Sequence, residues 1–72
     1  MEKLWIIREH GRYDIWDTPA IPNDRKAAVE QAKTAYNQLS TYDKKHRLIE
    51  AILLFDDEDC SDVYQVAWSS EQ

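Results

Sequence analysis

The sequence predicts an α+β fold: a two-layer ββαββ arrangement with one helix packed on a four-stranded, mostly antiparallel sheet. Three observations carry that prediction. Residues 4–17 are two runs rich in Trp, Ile and Tyr on either side of the only glycine, Gly11. Residues 28–39 repeat apolar side chains at helical spacing. Residues 47–55 and 63–69 are two further apolar, β-prone runs separated by a block of acids.

The first two strands, residues 4–9 and 12–17, flank His10-Gly11. A two-residue turn with glycine supplying a positive φ is the simplest closure. It sets Arg8 opposite Tyr13, Ile6 opposite Ile15 and Trp5 opposite Trp16. Strand alternation then puts Leu4, Ile6, Tyr13 and Ile15 on one face and Trp5, Ile7, Asp14 and Trp16 on the other. Both faces are apolar, whereas a hairpin needs only one to pack a core. The face with Trp5, Ile7 and Trp16 is therefore expected to be the uncovered one, joined by either Tyr64 and Trp68 or their alternates on the last strand.

Thr18-Pro19-Ala20-Ile21-Pro22 cannot continue a central strand, because proline lacks a backbone donor. It is expected to cross over with Ile21 tucked beneath the fold. Asn23 or Asp24 then caps a helix. Ala28, Ala32, Ala35, Tyr36 and Leu39 form its apolar stripe, and Lys26, Glu30, Lys33, Asn37 and Gln38 its solvated side. Three alanines in the stripe mean a close approach to the sheet. The helix is expected to end near Ser40-Thr41, and Lys44-Lys45-His46-Arg47 to be a polar link.

Residues 47–55 also satisfy helical spacing at Leu48, Ile49, Ile52 and Leu53. A strand is preferred because the run stops abruptly in acids and Val63-Tyr64-Gln65-Val66-Ala67-Trp68 follows.

The 72 residues suffice for one domain, 1–72, with about the last three frayed. A chain this short buries only about 60% of its unfolded surface. With Cys60 as the one cysteine, no internal disulfide can add stability, and a reducing, cytoplasmic setting is expected. Aromatic packing or self-association must supply it. No apolar run approaches the ~20 residues of a membrane span, and none resembles a signal peptide.

The formal charge of −5 resides in one segment. Residues 56–62 hold five acids (Asp56, Asp57, Glu58, Asp59 and Asp62) and no base, while the rest of the chain is balanced. Its simplest role is a solvated tip that keeps the last hairpin from aggregating. The alternative is a negative surface that docks on a basic partner. Calcium is not matched: an EF-hand loop starting at Asp57 would place Asp62 where glycine belongs and Trp68 where glutamate belongs.

His10, His46 and Cys60 exhaust the nucleophile and base candidates, and carboxylates around Cys60 disfavour its thiolate. One glycine excludes a glycine-rich phosphate cradle. No enzyme, cofactor or metal is expected. Trp and Tyr dominate interface hot spots, and monomers rarely leave such patches open. The expected function is a small non-enzymatic protein-binding module, an inhibitor or adaptor whose partner offers a basic or apolar surface. Its candidate contacts are Trp5, Ile7, Trp16 and Trp68 on the aromatic face and Asp56, Asp57, Glu58, Asp59 and Asp62 in the acidic loop. The alternatives are a homodimer built through the Trp face and a nucleic-acid-binding sheet. The charge balance disfavours the latter. In size, glycine poverty and local acidity the chain resembles the small inhibitors that phages make against host defence or transcription machinery, anti-CRISPR proteins included. The resemblance lies in general character only. It covers no motif and transfers no residue.

Overall fold

A computed structural model describes residues 3–56 and 62–71. The elements run β1 (Lys3–His10), β2 (Ile15–Pro19), α1 (Arg25–Asn37), α2 (Thr41–His46), β3 (Leu48–Asp56) and β4 (Asp62–Ser69). The four strands form one antiparallel sheet in the order β2-β1-β3-β4, with α1 across one face. This is the expected α+β arrangement, with a short second helix added.

The first hairpin is longer at its tip than the two-residue turn predicted for it. Gly11 N–H donates to the Asp14 carbonyl at 2.7 Å, so residues 11–14 form the turn and β2 begins only at Ile15. Trp16 therefore pairs with Glu9 and Ile15 with His10, not with Trp5 and Ile6. Tyr13, expected opposite Arg8, lies in the turn, exposed. The displacement is even, so each side chain keeps its predicted face. Gly11 does not adopt a positive φ. Its small size serves another purpose: a Cβ there would meet the Trp16 ring at 3.0 Å, so glycine lets the indole lie against the turn.

After Pro19 the chain can no longer pair with β1 as a strand, and two substitutes appear. Ala20 N–H donates to the Trp5 carbonyl at 2.9 Å. The Asn23 amide accepts from Trp5 N–H at 2.6 Å and donates to the Lys3 carbonyl at 3.1 Å, standing in for a strand residue. Asn23 is thus committed to β1, and Asp24 is the cap of α1. Its carboxylate accepts from Ala27 N–H at 2.7 Å. Asp24→Ala is expected to cost about 1 kcal/mol of stability, readable as a lowered urea midpoint at constant m.

The crossover is held differently from expectation. Ile21 is largely exposed, and Ala20 is the buried residue. Gln31 of α1 secures the segment by donating from Nε2 to the Ile21 carbonyl at 2.5 Å. Beyond α1 the link is itself helical. Ser40 Oγ accepts from Asp43 N–H at 3.1 Å and starts α2, which ends at His46 with lysines and a histidine in its last turn.

The core lies between α1 and the sheet. Ala28 and Ala32 are fully buried against Ile7, Ile49 and Ala51, and Trp5, Val29, Ala35, Tyr36, Leu39 and Trp68 pack around them. The helix therefore covers the face that carries Trp5 and Ile7. This corrects the expectation that the Trp face is open. The physical reason is complementarity of size: an alanine stripe approaches closely and leaves room for bulky Trp5 and Trp68 at its flanks.

β3 is one of the two inner strands, paired on both sides, which accounts for its nearly unbroken apolar run and its resemblance to a buried helix. Its pairing with β4 contains a bulge. Ile52 faces Val66 while its neighbour Ala51 faces Trp68, leaving Ala67 as the extra residue. The bulge sends Trp68 under α1 while Tyr64 and Val66 stay on the opposite face.

Candidate protein-binding interface

The face opposite α1 is assembled from the even positions of β1 and β3 and from β4 before its bulge. At one end Leu4, Leu54, Tyr64 and Val66 surround Ile6 and Ile52. The two isoleucines are 2% and 0% exposed although no helix among the described residues lies over them. They are screened by their neighbours: Arg8 lies over the Tyr64 ring at 5.5 Å, roofing the middle of the face. Tyr64 and Val66 themselves are 53% and 47% exposed.

A polar band borders this apolar area. Asp17, Arg8 and Glu50 stand in one row across β2, β1 and β3. Arg8 donates to Asp17 through Nε at 2.8 Å and Nη2 at 3.2 Å, a two-point pairing that holds the guanidinium flat. That hydrogen bond raises the Arg8 pKa. Desolvation opposes the shift, and the charges of Asp17 and Glu50 and the Tyr64 hydroxyl add to it. Arg8 thus remains cationic throughout the working pH range. His10 Nε2 meets Glu50 Oε1 at 2.5 Å in the next row. Among the described residues no buried side-chain polar atom lacks a partner. The charged side chains of the band are thus paired with one another, whereas the apolar end carries the exposed Tyr64 and Val66.

The predicted contacts are dispersed. Ile7 is buried beneath α1, and Trp5 and Trp68 are half-buried there, with Trp68 meeting the Tyr36 ring edge-on at 6.3 Å. Trp16 stays about half exposed at the hairpin tip, against Gly11. Asp56 and Asp62 are register partners closing β3 and β4, while Asp57, Glu58 and Asp59 lie outside the described residues. The residues missed were Leu4 and Val66, together with the roof of Arg8 over Tyr64. A signal existed: Arg8, His10, Asp17 and Glu50 all share the parity of Ile6, and four charged or titratable residues on one face mark it as the solvent side.

The basic run is brought to the hairpin tip. Arg12, Tyr42, Asp43, His46 and Arg47 line a shallow cavity of about 520 Å³, with the Tyr42 and His46 rings 4.3 Å apart. Arg47 donates to Glu9 at 2.9 Å and lies 3.6 Å from Asp43. The Glu9 hydrogen bond, then the Asp43 charge, raises its pKa. Two carboxylates thus neutralise this wall, and the cavity offers little net attraction for an anion. No metal-binding group of His, Cys, Asp or Glu occurs among the described residues, and none of their helices is long and apolar enough to cross a membrane.

Comparison with protein-family models, curated proteins and solved structures found no match.

Proposed function

We propose that this chain is a small non-enzymatic protein-binding module, an inhibitor or adaptor that acts by direct contact through the sheet face opposite α1. The observation that carries this reading is the exposed apolar group of Leu4, Tyr64 and Val66 beside a band of charged side chains paired with one another. An aromatic and aliphatic centre with a charged rim is the usual anatomy of a protein interface. A rigid sheet also presents these side chains at little ordering cost.

The test is site-specific photo-crosslinking in extracts of the source organism. A benzophenone side chain placed at Val66 is compared with one at Asn37, exposed at the end of α1. The expected result is an adduct to one foreign protein from position 66 only. Excess unmodified chain should compete it away, and the Val66→Asp variant should not. Equal labelling from both positions, or none from position 66, would refute the reading. An adduct of twice the chain's own mass would replace it with self-association.

A further inference from the structure

We propose that β4 accepts an extended peptide of alternating acidic and apolar residues as a fifth strand, with its acidic side chains seated against a cationic groove beside α1. This rests on the protein-binding reading and specifies a partner chemistry for the sheet edge that adjoins that face.

The two edges of the sheet are unequal. β2 has five residues, ends in Pro19 and carries Asp17 bound to Arg8. β4 has eight, and from Val63 to Ser70 the chain holds no charge, no proline and no glycine. Charges and prolines are devices that ordinarily keep an edge from pairing, and this stretch of β4 lacks both. Its bulge at Ala67 bends the strand yet leaves every N–H in place. Along the outer edge, alternate residues turn N–H and C=O away from β3, as strand addition requires.

The groove supplies the specificity. α1 lies chiefly over β3 and β1 and reaches β4 only in part. The space left between α1 and β4 is a cavity of about 570 Å³ lined by Arg25, Lys26, Val29, Glu30, Lys33 and Trp68. It adjoins a second, of about 330 Å³, through the shared Arg25, with Leu53 and Gln65 in its lining. The wall thus holds three cations against one carboxylate over an apolar floor. None of the three cations forms an ion pair among the described residues. Side chains of an added strand alternate between the faces. Those on the α1 side would meet Arg25, Lys26 and Lys33, and those on the other side would lie beside exposed Tyr64 and Val66. Acidic residues on one parity and apolar residues on the other match both.

A second copy of this chain matches less well. Antiparallel β4–β4 pairing about an axis normal to the sheet would place both α1 helices on the same side. Two sets of Arg25, Lys26 and Lys33 would then face one shared groove, and like charges across an interface oppose association.

The probe is a dye-labelled eight-residue peptide alternating Glu and Val, followed by fluorescence anisotropy against a Lys–Val peptide of the same length. The intact chain is expected to bind the acidic peptide at least tenfold more tightly, with affinity falling as salt rises. Lys26→Glu combined with Lys33→Glu, both exposed, should reverse the preference. Hydrogen exchange of the β4 amides should slow at saturation. Equal affinity for both peptides, no binding at millimolar concentration, or unchanged β4 exchange would overturn the proposal. So would light scattering that shows a dimer whose β4 amides are protected without peptide. The crosslink from position 66 is read separately. Its presence without peptide binding would refute the groove and leave the protein-binding reading intact.

Discussion

Ile52→Ala is expected to lower the unfolding free energy by about 2–5 kcal/mol, the range for deleting a fully buried branched side chain. A domain of this length has a total stability of about 4–11 kcal/mol, so the variant should lose a large share of it. Ile52 lies on the face with no helix over it, so its burial comes from position alone. β3 is an inner strand, Ile6 and Val66 flank Ile52 on β1 and β4, and Arg8 and Tyr64 close over the middle of the face. A denaturant midpoint that falls as for Ile49→Ala would place both faces in the folding core. A loss under about 1 kcal/mol would mean that the Arg8–Tyr64 roof does not exclude water.

Ala32→Leu is expected to cost about 1–3 kcal/mol by overpacking. Ala32 is fully buried in the cluster with Ile7, Ile49 and Ala51, where α1 comes closest to the sheet. Leucine is nearly as good a helix former as alanine, so helix propensity contributes little to the change. The extra atoms must push α1 away from β1 and β3 or displace Trp5 and Trp68 at its flanks. Trp emission should therefore shift red together with the loss of stability. Asn37→Leu, on the exposed side and outside the groove beside Trp68, should leave both nearly unchanged. Equal effects at the two positions would show that close approach of α1 is not what the alanine stripe provides.

How far the chain can be read without its structure follows from which interactions are local. The α1 stripe, its start at Asp24 and the strand character of the four runs arise from periodicity, capping and turn chemistry within a few residues. They were legible for that reason, as was the sharing of a face by Ile6 and Ile15 and by Ile7 and Trp16, because alternation survives any even change of register. The short α2 was missed. Its signal, Ser40 three residues before Asp43, is present but brief, and six residues carry little periodicity.

Three features were decided only by tertiary structure, each by a contact between distant residues. Which apolar face α1 covers depends on the fit of Ala28 and Ala32 against Ile7, Ile49 and Ala51, and both faces of the hairpin are apolar enough to compete. Whether Trp68 shares a face with Tyr64 depends on the bulge at Ala67, since one extra residue reverses alternation beyond it. The groove beside β4 exists because α1 sits over the two central strands, which brings Lys26 and Lys33 alongside Trp68, far away in the chain. Sequence by itself determined the four strands, α1 and the parities of β1 and β2, through forces that act over one turn or one strand. The side of the sheet that α1 covers was settled by packing, where small differences in side-chain size choose between two nearly equivalent faces.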